Sequence, residues 1–127
     1  MSEVVFDASA LLALIQEEPG SKAVESYLGR AVVSTVNLSE VVAQLIKRGM
    51  PKKLASSVLN GMGLKVMDFD EELALQAAFL IEITHKEGLS FGDRACLALA
   101  QNLKIPAITT DRAWSKLKIP VNIKLVR

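Results

Sequence analysis

Cysteine and histidine are nearly missing from this chain: one of each among 127 residues. A single thiol cannot build an intramolecular disulfide framework and fits a reducing compartment such as the cytoplasm. Cys96 sits in an apolar stretch, where a buried, inert thiol is a simpler reading than a nucleophile. His85 lies near the end of a long helical pattern, which favours a surface or helix-dipole role. No Ser-His-Asp or Cys-His pairing stands near a cleft motif, which disfavours acyl chemistry. No run of about 18 apolar residues exists, so nothing is expected to span a membrane. The opening residues, with Glu3 and Asp7, lack the basic region of a signal peptide. Charge of one sign is also lacking: 15 Lys and Arg oppose 14 Asp and Glu, a net of +1. There is no whole-chain electrostatic footprint for nucleic acid, so any RNA contact must come from local patches.

Half of the residues are hydrophobic. That composition is globular, and the length predicts one domain over residues 1–127. Short apolar runs at residues 4–6, 31–35, 64–69, 105–109 and 121–126 read as strands. Amphipathic or apolar helical patterns fill residues 10–17, 21–28, 37–48, 52–59, 71–86 and the stretch after Gly92. Strands alternating with helices predict a parallel sheet covered on both faces. There is no linker and no repeat beyond one tripeptide. Asp-Arg-Ala opens a helix at Asp93 and again at Asp111.

In an open α/β sheet, ligands gather beyond the carboxyl ends of the strands. Four acids are predicted there: Asp7 after the first strand, Glu40 in the first turn after the second, Asp93 at the start of the apolar helix, and Asp111 after the fourth strand. Like charges resist such a meeting. At about 4 Å and an effective dielectric near 20, each pair costs about 4 kcal/mol. A helix N-terminus offsets only about 0.3–1 kcal/mol per carboxylate. Either the acids lie apart, or some hold protons, or a cation joins them. Oxygen donors without His or Cys point to Mg²⁺ or Mn²⁺ rather than zinc. Such an ion lowers the pKa of a bound water and neutralises charge on a phosphodiester. Capping is the simpler alternative for each acid alone. Asn37-Leu38-Ser39-Glu40 has capping-box spacing, and Asp93 and Asp111 suit the first helical turn.

Four segments in order carry a family likeness. Asp7-Ala8-Ser9-Ala10-Leu11-Leu12, Asn37-Leu38-Ser39-Glu40, the run from Leu89-Ser90-Phe91-Gly92-Asp93-Arg94-Ala95-Cys96 to Ala100, and Thr109-Thr110-Asp111-Arg112-Ala113-Trp114 resemble PIN-domain ribonucleases, most nearly the VapC-type toxins of toxin–antitoxin pairs. The resemblance implies a three-layer α/β/α sandwich around a parallel sheet of about five strands. It also implies a Mg²⁺- or Mn²⁺-dependent endoribonuclease, a homodimer, and an antitoxin that blocks the site. Asp7, Glu40, Asp93 and Asp111 match the family's acidic positions, and Ser9 its hydroxyl position. Some members carry a further acid or Asn shortly after the last Asp. Ala113 and Ser115 stand there in this chain, which puts a second metal position in doubt.

Thr110, Arg94 and Arg112 adjoin the site acids, and the two arginines could clamp phosphate or pair with neighbouring acids. Lys47, Arg48, Lys52 and Lys53 form a local basic patch that also reads as a solvated helix end. Trp114 and Phe91 could stack on a base or simply pack. Asp68 and Asp70 read as caps of the long helix. A receiver-like signalling domain with Asp68 as phosphoacceptor is an alternative, though it leaves Glu40 and Asp93 idle. An RNA-binding module of the same fold without catalysis is another. Ser9, where the Asp-x-Asp phosphatases need a second acid, disfavours that class. The sequence does not fix a dimer face; exposed apolar positions on the first two helices and the Lys52 helix are candidates.

Overall fold

The computed structural model describes residues 2–127. Five strands form one parallel sheet in the order β3-β2-β1-β4-β5, with β1 Val4–Phe6, β2 Ala31–Ser34, β3 Lys65–Met67, β4 Ala107–Thr109 and β5 Ile123–Leu125. The first strand matches the sequence reading, and the other four are shorter than that reading. The difference lies at their ends: Ile105 leads into the sheet, and Pro106 contributes only its carbonyl, which accepts the Val5 N–H at 2.9 Å. The helices are α1 Ala8–Ile15, α2 Ser21–Glu25, α3 Thr35–Lys47, α4 Lys52–Val58, α5 Glu71–Phe79, α6 Ile81–Thr84 and α7 Phe91–Leu103. The helix expected over residues 71–86 is broken after Phe79 into α5, α6 and a 3₁₀ turn, His85–Glu87.

Alternation along the strands builds two cores, because successive side chains leave opposite faces. Val4, Phe6, Val33 and Ile108 pack under α1 to α4 with Leu11, Val24, Val41 and Leu45. Val5, Val32 and Ala107 pack under α5 and α7 with Leu73, Leu97, Leu99 and Trp114. This is the three-layer α/β/α arrangement. The helix from Phe91 is apolar nearly all round because it lies deep in that layer: Ala95 to Ala100 are all buried. Truncating Leu97 or Leu99 to Ala would cost about 2–5 kcal/mol.

Strand order decides where a site forms. The chain leaves β1 toward β2 on one side and returns through β4 on the other. The crevice at the carboxyl ends of β1 and β4 is therefore a topological switch point. Asp7 and Asp111 both follow directly on that edge.

Candidate active site

Asp7 is the most constrained of the acids. It caps α1, accepting the Ala10 N–H at 2.8 Å. Ser9 Oγ lies 2.8 and 2.9 Å from its two oxygens. Thr109 Oγ1 donates to Oδ2 at 2.6 Å. The residue is 2% exposed. Burial outweighs these hydrogen bonds and, with a smaller contribution from the Asp93 charge, raises its pKa from 3.8 to about 7.

Thr109 does more than touch Asp7. Its hydroxyl also accepts the Asp111 N–H at 3.0 Å, while Ser9 Oγ accepts the Thr110 N–H at 3.0 Å. Each hydroxyl thus donates to Asp7 and accepts from the turn after β4, which ties two acids from distant segments together. Thr110 enters through its backbone. The sequence pattern points to Thr110 and misses Thr109. The signal was available: Thr109 is the last residue of a buried strand, where a hydroxyl needs a partner.

Asp93 and Glu40 come from the other side of the crevice. Ser90 caps α7, and Asp93 completes a capping box: Ser90 N donates to Asp93 Oδ2 at 2.9 Å, and Asp93 N to Ser90 Oγ at 3.2 Å. The capping reading of Asp93 therefore holds alongside the functional one. For Glu40 it fails. Helix α3 starts two residues earlier than expected, with Ser34 as its cap accepting from Val36 N. Asn37 is therefore inside the helix, and its Nδ2 donates to Glu40 Oε1 at 2.8 Å and to the Gly92 carbonyl at 2.9 Å. This buried amide straps α3 to α7 and aims the Glu40 carboxylate across Gly92. A Cβ at Gly92 would overlap that carboxylate.

The acids act on one another. Burial comes first in raising the pKa of Glu40 and of Asp93, opposed by the Asn37 bond in one case and the Ser90 bonds in the other. Like charge adds to it. Asp93 pushes up Asp7 and Glu40, and is itself pushed up by Asp111. Asp93 is the hub of the group. Asp111 is exposed and caps a 3₁₀ turn, Arg112–Lys116, by accepting Ala113 N at 2.9 Å. The α-helix start expected there is only this short turn.

Among the described residues, no three acidic, histidine or cysteine side chains stand close enough to hold an ion by themselves. The donors are nonetheless all oxygens, and three of four carboxylates are destabilised as anions by burial and by one another. That donor set fits a hard cation of the Mg²⁺ type, which takes one or two carboxylates directly and keeps several waters.

The neighbouring residues divide. Arg112 lines a cleft of about 610 Å³ with Ser9, Thr110, Asp111 and Arg127. The sequence motifs do not point to Arg127; the signal is that β5 runs parallel to β4 and delivers it to the same edge. Arg94, by contrast, turns into the α5–α7 interface. It donates to the Ala77 carbonyl at 3.2 Å and lies 5.8 Å from the Phe91 ring centre. Trp114 is fully buried, so it packs and cannot stack on a base. Phe91 is 52% exposed, edge-on to Phe69 at 5.5 Å. Lys47, Arg48, Lys52 and Lys53 are exposed, and Arg48 reaches Glu18 at 3.8 Å. Lys47 lies two turns beyond Glu40, roughly 10 Å along an axis leaving the acidic edge. Asp70 caps α5 through Leu73 N. Asp68 follows the edge strand β3, with β2 between it and β1, which removes the arrangement a phosphoacceptor there would need. His85 is exposed, its Nδ1 2.9 Å from the Ile81 carbonyl. Exposed apolar side chains gather on α5 and α6 (Leu75, Phe79, Ile81, Ile83), with Leu54 alone on α4 and none of the large ones on α1 or α2. On α1, Leu12, Leu14 and Ile15 pack against the core while staying partly exposed, and Ala23 on α2 is exposed.

Residues 4–120 match the family described as PIN domain. No curated protein matches the chain. Several solved structures share its fold. A toxin–antitoxin complex from Klebsiella pneumoniae is 19% identical with a TM-score of 0.72, over 95% of this chain and 100% of that one. VapC20 of Mycobacterium tuberculosis, a sarcin–ricin-loop-cleaving toxin, is 17% identical with a TM-score of 0.73, over 94% and 99%. DNA-bound VapBC from Salmonella typhimurium is 14% identical with a TM-score of 0.76, over 100% of both.

Proposed function

The chain belongs to the PIN domain family, and on that premise we propose that it is a metal-dependent endoribonuclease, the toxin of a type II toxin–antitoxin pair. The observation that carries the reading is the coupling of four carboxylates through Asp93 at the switch point of the sheet. The toxin assignment draws support from the fold shared with VapC and VapBC proteins along nearly the whole chain. In this reading residues 1–127 form one PIN domain, working in the cytoplasm as a homodimer and held inactive by an antitoxin.

Asp7, Glu40, Asp93 and Asp111 would hold Mg²⁺ or Mn²⁺, some of them through water. A divalent ion there supplies charge stabilisation for a pentacoordinate phosphorus and an acidified water. The chain's own residues do the rest. Ser9 and Thr109 fix both oxygens of Asp7, so that carboxylate cannot rotate away. Asn37 holds Glu40 against Gly92, where it positions the attacking water or serves as a ligand. Asp93, already locked by Ser90, needs no reordering when substrate arrives; such preorganisation is where most electrostatic catalysis originates. Attack in line would leave a 5′-phosphate and a 3′-hydroxyl.

The test is cleavage of single-stranded RNA by the purified chain with Mg²⁺ or Mn²⁺, against EDTA and against Asp93→Asn. Metal-dependent cleavage lost in the variant supports the assignment. Equal cleavage by both proteins, or none by either, refutes it.

A further inference from the structure

The site acids leave one feature of their surroundings unused: two guanidinium groups in the cleft beside Asp111. Arg112 and Arg127 line that cleft together with Ser9, Thr110 and Asp111. Among the described residues, the ion pairs are Arg30–Glu3 and Arg48–Glu18, so neither cleft arginine is neutralised by a carboxylate. Both are held at their backbones. Arg112 follows Asp111, whose side chain caps the turn. Arg127 follows Val126, whose N–H donates to the Thr109 carbonyl at 3.0 Å. The Val126 carbonyl also closes so tightly on Gly20 that a Cβ there would overlap it. The chain end is therefore docked on the same strand that carries Thr109.

The lining tells what kind of ligand fits. It holds two cations, one carboxylate and two hydroxyl residues, with no aromatic or aliphatic side chain. Such a surface reads charge and offers no aromatic ring on which a base could stack. Its volume, about 610 Å³, is of the size that takes a nucleotide-sized group. It adjoins Ser9 and Asp111, so its occupant lies next to the reacting phosphorus. We propose that this cleft is a subsite for a backbone phosphate of single-stranded RNA adjoining the scissile one, held by Arg112 and Arg127. The inference rests on the nuclease reading for its substrate class. It adds the side on which the strand enters or leaves, and makes Arg127 a substrate-binding residue.

The experiment measures binding of a labelled, mixed-sequence RNA oligonucleotide to the full chain carrying Asp93→Asn, so that the RNA stays intact. Salt is varied between about 50 and 200 mM. Each phosphate contact to a single strand contributes about 0.7 to the slope of log K against log salt. Arg112→Ala and Arg127→Ala should each lower that slope by about 0.7, and the double variant by about 1.4, with unchanged melting temperatures. Lys52→Ala with Lys53→Ala, distant from the cleft, should leave the slope alone. A double arginine variant with the parent slope overturns the proposal, as does a parent with no salt-dependent binding at low salt. The two readings fail separately. Cleavage by the wild-type chain with a slope indifferent to Arg112 and Arg127 removes only the cleft. An arginine-dependent slope without any cleavage removes only the nuclease.

Discussion

The same tripeptide, Asp-Arg-Ala, opens two segments of this chain, and the two copies do different work. At Asp93 the cap is supplied three residues upstream by Ser90, so Asp93 is locked inside the first turn of a long helix. At Asp111 the carboxylate is itself the cap of a five-residue turn and stays exposed. The arginines diverge in the same way. Arg94 bonds to the Ala77 carbonyl inside the layer, while Arg112 faces an open cleft. The residues downstream of each tripeptide decide the outcome. Cys96 to Ala100 are buried and continue a helix, whereas Trp114 anchors a turn that ends at Lys116. A motif is thus only as informative as its offset from the cap and the burial of the residues after it.

That contrast makes Asp93 the hub and Asp111 an outer member, and the largest expected effect tests it. Asp93→Asn should lower RNA cleavage on the order of a thousandfold, the upper range for loss of one preorganised group. Asp111→Asn should cost about ten- to a hundredfold less than that. Steady-state cleavage rates of the two variants decide it, and a reversed order would break the ranking.

Asp7 gives the next effect, on stability. Its folded pKa of about 7 stands above the ordinary 3.8, so the native chain keeps a proton that the unfolded chain has lost between those values. Stability therefore falls as pH rises. The contribution is fully present below about pH 4 and gone above about pH 7, with an upper bound of roughly 4 kcal/mol. Glu40 and Asp93 shift in the same direction and add to the slope. Melting of the metal-free chain should drop between about pH 4 and pH 7, and less so in Asp7→Asn. A flat profile in the wild type would show that these acids are not buried together.

Gly92→Ala comes third. The new methyl must displace the end of a flexible side chain, Glu40, rather than backbone. Alanine also favours a helix by about 0.8–1 kcal/mol over glycine. Melting temperature should hold or rise while cleavage falls about ten- to a hundredfold, the range seen when a supporting group is lost. Joint loss of stability and activity would contradict this account of Gly92. The smallest effect separates the arginines. Arg94→Ala should cost about 1 kcal/mol through its lost bond to Ala77, and Arg112→Ala nothing measurable in thermal unfolding.

Much of this was legible before the coordinates. Alternating strands and helices announced the parallel sheet, and strand-end positions gathered Asp7 and Asp111 because a parallel sheet leaves little choice. The part that sequence could not supply concerns offsets of one or two residues. Thr35 reads as the end of a strand because it is β-branched, yet the Ser34 cap turns it into the first turn of α3. That shift moves Asn37 from a cap to a strap between layers and frees Glu40 from capping. Thr109 is hidden in the sequence for a related reason. Its role depends on which residue of β4 faces the turn of α1, a matter of register that the sequence leaves open.

The central claim is that carboxylates from four segments share one divalent ion. Calorimetric titration of Mn²⁺ into the wild-type chain and into Asp93→Asn, near neutral pH in two buffers of different ionisation heat, tests it directly. The account predicts saturable binding that releases protons, because Asp7, its pKa raised by burial to about 7, still carries part of a proton near neutral pH when no cation is present, and it predicts that the variant loses most of both. Absence of binding, or binding without proton release that Asp93→Asn leaves unchanged, would contradict it.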